Sequence, residues 1–150
     1  DADNSTDISH FEKMRPLFDA EHDVVISTRH SRDAKGASQH ISQPWHKRLM
    51  GMAGNLYIQM MAVPGIWDTQ NGFKAFRNYA AQSIFSRTKI SRWAFDVEAL
   101  GLARKFGYKI GIIPVQWRND PKSRVSPAAY VKFLFDVLRI RWNLMRKKYN

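Results

Sequence analysis

Cysteine is absent from the 150-residue chain, which excludes a disulfide framework and every thiolate metal site. No stretch approaches the roughly 18 consecutive apolar residues of a membrane-spanning helix. Acidic residues are scarce: 13 Asp and Glu stand against 24 Lys and Arg, a formal charge of +11. Such an excess favours anionic partners, whether nucleic acid, anionic lipid or phosphorylated substrates, without choosing among them. The five histidines show no metal-site spacing and are given no ligand role. No repeat, low-complexity segment or signal peptide is visible, and no initiator Met stands before Asp1. The expectation is therefore that something normally precedes this segment. What is present is a globular composition: 44% hydrophobic and 13% aromatic residues, enough for one domain, or part of one, with a real core.

Strand and helix patterns alternate along the chain, which predicts an α/β architecture. Residues 8–18 carry apolar side chains at helical spacing, with Asp7 as N-cap and Pro16 near the helix end. Residues 23–28 read as a buried strand. The polar, basic stretch 29–43 reads as a loop, and 45–61 as a Met-rich helix. Residues 67–77 form a loop-and-strand region around Gly72, and 79–85 a short helix. A better helix is expected over 93–106, ended by Gly107 at its C′ position. The apolar run 110–115 reads as a strand, with Pro114 marking an edge or a strand end. A polar turn over 119–127 leads into a long last helix, 128–149.

Asp1 and Asp3 lie one residue apart. In an extended segment both side chains point to one side and could share a hard divalent cation, Mg²⁺ or Mn²⁺, beside a diphosphate. The spacing alone is a weak signal, and an exposed turn or helix-capping cluster is the competing reading. Arg29, His30 and Arg32 follow the 24–28 strand, where an α/β sheet usually builds its site. Arginine offers a planar fork of donors suited to phosphate.

Read in order, Asp1-Ala2-Asp3-Asn4-Ser5-Thr6, Val25-Ile26-Ser27-Thr28-Arg29, Gln43-Pro44-Trp45, Asp68-Thr69-Gln70-Asn71-Gly72-Phe73-Lys74, Phe95-Asp96-Val97-Glu98 and Pro114-Val115-Gln116-Trp117 form a specific set, although no single member is specific. The chain resembles the second half of family 2 glycosyltransferases, in the branch of the dolichyl-phosphate β-glucosyltransferases and their polyprenyl-phosphate relatives. The resemblance implies the C-terminal half of a GT-A fold, with the Rossmann-like, nucleotide-binding N-terminal half missing. Residues 1–127 would form a partial catalytic domain starting at the D-x-D motif, and 128–150 a basic amphipathic helix.

The same resemblance implies roles for individual residues. Asp1 and Asp3 would hold the metal on a UDP diphosphate. Arg29 and Arg48, with Arg124 in the Ser-Arg-Val segment, would contact phosphate. Asp68 and Asp96 are the catalytic candidates, with Glu98, Gln70 and Trp45 supporting them. Because a phosphate acceptor is largely ionised at neutral pH, Asp68 is expected to orient the site rather than to remove a proton. Asp96 and Glu98 also suit the N-terminal end of a helix in any protein.

Val131, Phe135, Leu138, Trp142, Met145 and Tyr149 recur at spacings of three and four along the last helix, and Arg139, Arg141, Arg146, Lys147 and Lys148 crowd its end. This pattern suits either a helix lying on an anionic membrane surface or one packed on the core, its basic end favoured by the helix dipole. The leading expectation is inverting, metal-assisted transfer of glucose from UDP-glucose to dolichyl or another polyprenyl phosphate. It would take place at the cytoplasmic face of a membrane, the endoplasmic reticulum in a eukaryote or the plasma membrane in a prokaryote, with no nucleic-acid partner. The alternatives are the same family with another donor, such as GDP-mannose, and a non-catalytic basic domain binding membrane or nucleic acid.

Overall fold

The computed structural model describes residues 6–40, 45–118 and 126–149, the side chains of 39, 40, 45–48, 117 and 118 excepted. The α/β expectation holds. Strand β1 (Val24–Thr28) lies between β3 (Lys74–Phe76), which runs antiparallel to it, and β4 (Ile110–Pro114), which runs parallel. A second ladder pairs β2 (Ser38–His40) with β5 (Gln116–Arg118). The predicted loop over 29–43 thus contains a short strand that its polar composition concealed.

All five residues of β1 are buried, yet the period of two still sorts them. Val24 and Ile26 enter the larger core with residues of the helices α2 (Trp45–Met61), α3 (Asn78–Phe85), α4 (Phe95–Lys105) and α5 (Pro127–Met145). Val25 faces the other way, against Met14, Leu17 and Phe18. These last belong to the N-terminal segment, expected as one helix. It is instead a 3₁₀ turn, Ile8–Lys13, followed by the short α1 (Arg15–Asp19). Asp7 caps the first piece through Ser9 N–H. Pro16 stands at the beginning of the second rather than at its end, because an early helical position needs no N–H from it.

The apolar run over 110–115 ends β4 at Pro114, on an edge strand as expected. Val115 then passes the chain from one ladder to the other. Its N–H bonds Thr28 O at 3.0 Å, and its carbonyl accepts Ser38 N–H at 3.2 Å. Helix α4 ends as expected at Gly107, which has φ +76°. Tyr108 N–H reaches Ala103 O and Gly107 N–H reaches Arg104 O, the paired closing bonds of a Schellman turn. From Val97 to Ala103 this helix is buried on every side.

Glu98 lies in that buried stretch with no exposed surface. Its carboxylate accepts N–H bonds from Lys89 and Ile90, and the Tyr149 hydroxyl at 2.6 Å. Asn143 Nδ2 in turn bonds the Tyr149 oxygen. This network ties the turn after α5 to α4 and to the residues before it. Burial and the neighbouring Glu98 charge push the Tyr149 hydroxyl well above its ordinary pKa. Tyr149→Phe removes one bond to a buried charged group and is expected to cost about 1.5 kcal/mol. Urea denaturation checks the cost. Tyr57 and Tyr79 are also shifted upward, so spectrophotometric titration should show one fewer tyrosine resisting ionisation in the variant than in the unsubstituted chain.

Candidate functional site

The carboxyl end of β1 and the beginning of the antiparallel β3 meet at one edge of the sheet. Loops reaching that edge build a polar cavity of about 170 Å³, lined by Arg29, His30, Gly51, Asn55, Trp67, Asp68 and Gln70. Three expected site residues from two separate motifs, Arg29, Asp68 and Gln70, therefore converge.

Their chemistry is set by a bidentate ion pair. Arg29 Nη2 donates to Asp68 Oδ1 at 2.7 Å, while Arg29 Nε and its backbone N–H both donate to Oδ2 at 2.8 Å. Asp68 is 7% exposed. Burial alone pushes its carboxyl up, but the bonds and charge of Arg29, helped by Lys74, outweigh this and hold it below the ordinary carboxylate range. For Arg29, burial lowers the pKa and Asp68 more than restores it. With both oxygens engaged and its proton affinity depressed, Asp68 is a poor general base.

A second carboxylate, which composition and motif reading both passed over, fixes this arrangement. Asp33 Oδ1 accepts Trp67 N–H at 2.8 Å, and Oδ2 accepts Asp68 N–H at 2.9 Å and the Thr28 hydroxyl at 2.8 Å. The loop after β1 and the loop before β3 are thereby clamped together. The one available signal was an acidic residue inside an otherwise basic loop.

Asp96 sits in the first turn of α4, one ion pair away from Asp68. Lys74 Nζ donates to Asp96 Oδ1 at 2.8 Å and to the Asn71 carbonyl. The lysine side chain is 5% exposed and its partner 30%. Burial draws the Lys74 pKa down, and the Asp96 charge offsets this only in part. Among the described residues Asp96 Oδ2 accepts no hydrogen bond, so of the two catalytic candidates Asp96 has the more available oxygen. Glu98 is not brought to the cavity. It belongs to the buried network on α4.

Arg48 and Trp45 lie on α2, which also supplies Gly51 and Asn55 to the cavity wall; their side chains fall outside the described residues. Asp1, Asp3 and Arg124 lie outside them too, as does most of the turn expected over 119–127. Among the described residues no cluster of three or more His, Asp or Glu is placed to hold a metal ion. His30, given no role in the sequence, lines the cavity and stacks on Trp67 with ring centroids 5.3 Å apart. The guanidinium of Arg32 lies 4.4 Å from the centre of the Trp67 ring.

The Arg29–Asp68 pair predicts a definite pH signature. Arg29→Met strands a buried carboxylate and should cost about 3 kcal/mol at pH 7. Because the folded-state pKa of Asp68 lies below its unfolded value, the pair's contribution is complete above the unfolded value and is lost as pH falls through the folded one. Denaturation curves of the two proteins should therefore converge in acid. An undiminished gap at pH 2 would contradict the assignment.

The sequence comparisons agree with the motif order. The chain is 30% identical over 145 residues to dolichyl-phosphate β-glucosyltransferase ALG5D of Trichomonas vaginalis, covering 93% of this chain and 43% of that protein. It is 30% identical over 151 residues to dolichyl-phosphate β-glucosyltransferase of Dictyostelium discoideum, covering 97% and 45%. It is 38% identical over 103 residues to the Homo sapiens protein of the same name, covering 67% and 32%. The chain thus spans less than half the length of each of these relatives. No protein-family model matches it. Over nearly its whole length this chain is related to part of the dolichyl-phosphate β-glucosyltransferases, as its ordered motifs imply.

Proposed function

We propose that this chain is the C-terminal half of a GT-A glycosyltransferase that moves glucose from UDP-glucose to dolichyl or another polyprenyl phosphate. The observation that carries this reading is the meeting of Arg29, Asp68 and Gln70, from two separated motifs, in one polar cavity at the sheet edge. A phosphate oxygen of the acceptor attacks the anomeric carbon of glucose from the side opposite the diphosphate. The new C–O bond forms as the bond to the diphosphate breaks, and UDP leaves with the electron pair, giving a β-linked product. A phosphate monoester has its second pKa near 6, so the nucleophile needs no strong base. The engaged state of Asp68 suits that chemistry. Asp68 holds Arg29 toward the cavity, and Asp96 opposes, in part, the loss of charge that burial favours at Lys74 beside it.

The donor chemistry of Asp1 and Asp3, two carboxylates with no thiolate or imidazole, fits Mg²⁺ or Mn²⁺. An ion held there would supply Lewis-acid neutralisation of the leaving diphosphate. In a full-length protein carrying this chain, glucose transfer from UDP-glucose should be lost on chelation and restored by Mg²⁺ or Mn²⁺. The double variant Asp1→Ala, Asp3→Ala should lose at least about a hundredfold in rate, given the several kcal/mol that metal stabilisation supplies. Normal transfer by that variant sinks the metal assignment, and preference for GDP-mannose sinks the donor.

The reading also includes a membrane surface. No helix among the described residues is long and apolar enough to cross a bilayer. However, most of the stripe expected on the last helix faces outward: Val131, Phe135, Leu138, Trp142 and Met145 are all exposed, while Phe133, Val137 and Ile140 pack inward. Tyr149, expected in the same stripe, lies past the end of α5 at Met145 and is buried against Glu98. Leu49, Met52, Leu56 and Met60 make a matching exposed row on α2. An apolar groove of about 410 Å³ joins the two helices, lined by Ala53, Tyr57, Val131, Leu134 and Phe135 among others. The helices approach closely at Gly54, where an added Cβ would lie 2.9 Å from Tyr130 Oη. With exposed Arg139, Arg141, Arg146, Lys147 and Lys148 along α5 and just past its end, this surface complements an anionic bilayer.

The full-length protein should sediment with phosphatidylserine-containing vesicles, less so at high salt. Phe135→Glu with Leu138→Glu should weaken that binding at least about tenfold, since each substitution puts a charge where the bilayer would cover an apolar side chain. Vesicle binding unchanged by the pair would show that another part of the protein covers this face, and would overturn the membrane assignment.

A further inference from the structure

One residue lining the cavity, His30, has no part in the proposed transfer. His30 sits immediately after Arg29, where its backbone N–H bonds Thr28 Oγ1 at 3.0 Å. Its Nδ1 lies 3.2 Å from the backbone nitrogen of Arg32. A backbone N–H only donates, so Nδ1 is the acceptor and is unprotonated. In the neutral ring the proton must then reside on Nε2. Among the described residues, no group accepts a hydrogen bond from Nε2. The ring plane is fixed from two sides, by that backbone bond and by stacking on Trp67. Trp67 is itself held through Asp33.

The charge balance of the cavity makes this donor matter. The Arg29 charge is matched by Asp68 and the Lys74 charge by Asp96. Recognition of an anion here depends on aimed N–H groups as well as on net charge. Asn55 and Gln70 are the neutral amide side chains of the lining. Arg32, which has no ion-pair partner among the described residues, lies against Trp67.

We infer that His30 is a ligand-binding residue whose Nε2–H donates to a phosphate oxygen of the molecule that enters this cavity. The inference rests on the proposed phosphate-transfer reading for its substrate and deepens it. The phosphate belongs either to the lipid acceptor or to the nucleotide-sugar diphosphate, and the experiment separates the two.

Three substitutions distinguish a donor from a merely structural ring. His30→Asn keeps a side-chain acceptor for Arg32 N–H but has no donor at the Nε2 position. His30→Phe keeps the stack on Trp67 and has neither nitrogen. His30→Gln places an amide N–H near the Nε2 position. In a full-length protein carrying this chain, both Asn and Phe variants should raise one KM roughly tenfold, the loss expected for a hydrogen bond to a charged group. The change in kcat should be small, and Gln should recover part of the loss. A rise in the acceptor KM assigns the acceptor phosphate; a rise in the UDP-glucose KM assigns the donor diphosphate. If the Asn variant behaves as the unsubstituted protein and neither KM moves, the inference is overturned and His30 only shapes its loop.

A second arm does not depend on activity. The ¹⁵N-labelled full-length protein carrying this chain is titrated with inorganic phosphate and, separately, with UDP, and the ring resonances of His30 are followed. A shift of Nε2 with Nδ1 remaining an acceptor supports the donor role even if glucose transfer itself proves wrong. A ring that responds to neither anion overturns it.

Discussion

Asp68 keeps a negative charge where water is almost excluded, and Arg29 makes that state tenable. Removing a carboxylate from water costs several kcal/mol unless its lone pairs are met. Here one arginine meets them three times, twice with its guanidinium and once with its backbone N–H. Such a pair adds little net stability over an apolar contact of the same volume. Its consequence is geometric. It fixes the first residue after β1 against a loop 39 residues further along the chain, and both segments become walls of one cavity.

The clamp is doubled by Asp33, which gathers two backbone N–H groups from the loop before β3 and the Thr28 hydroxyl at the end of β1. Lys74 and Asp96 extend the alternation of charge toward α4. Acids and bases at the sheet edge are thus largely matched in pairs, although the chain as a whole carries +11. The excess positive charge lies elsewhere, much of it toward the end of α5. Overall basicity and the chemistry of the cavity are therefore separate properties: the first suits a charged surface, the second a positioned anion.

Elements with strong local patterning were legible in the sequence. β1, α2, the Gly107 helix end and the edge position of Pro114 needed only periodicity and backbone chemistry. β2 was not legible, because a three-residue polar strand has no apolar rhythm and exists only through pairing with β5. Arg29 and Asp68 were legible as members of motifs, but their mutual engagement was not, since nothing in linear spacing shows which arginine a distant aspartate will meet. Asp33 and His30 were missed for a related reason: a loop side chain gains its meaning from the partners that tertiary structure brings to it. Glu98 was misplaced toward the site because an acid in a helix's first turn looks the same whether it faces a cavity or, as here, a buried tyrosine.

The last helix shows how an apolar period can be read correctly and still leave its partner open. The spacing of Val131, Phe135, Leu138, Trp142 and Met145 marks one helical face, but the core takes a different one, through Phe133, Val137 and Ile140. An apolar face that the core among the described residues leaves exposed marks an interaction surface. Helix α2 joins that face to the polar cavity: Gly51 and Asn55 line the cavity, whereas Ala53, Gly54 and Tyr57 line the groove shared with α5. A lipid phosphate has the same two-part character, a charged head that needs N–H donors and a chain that must stay out of water. One helix bordering both environments suits the lipid phosphate proposed as acceptor.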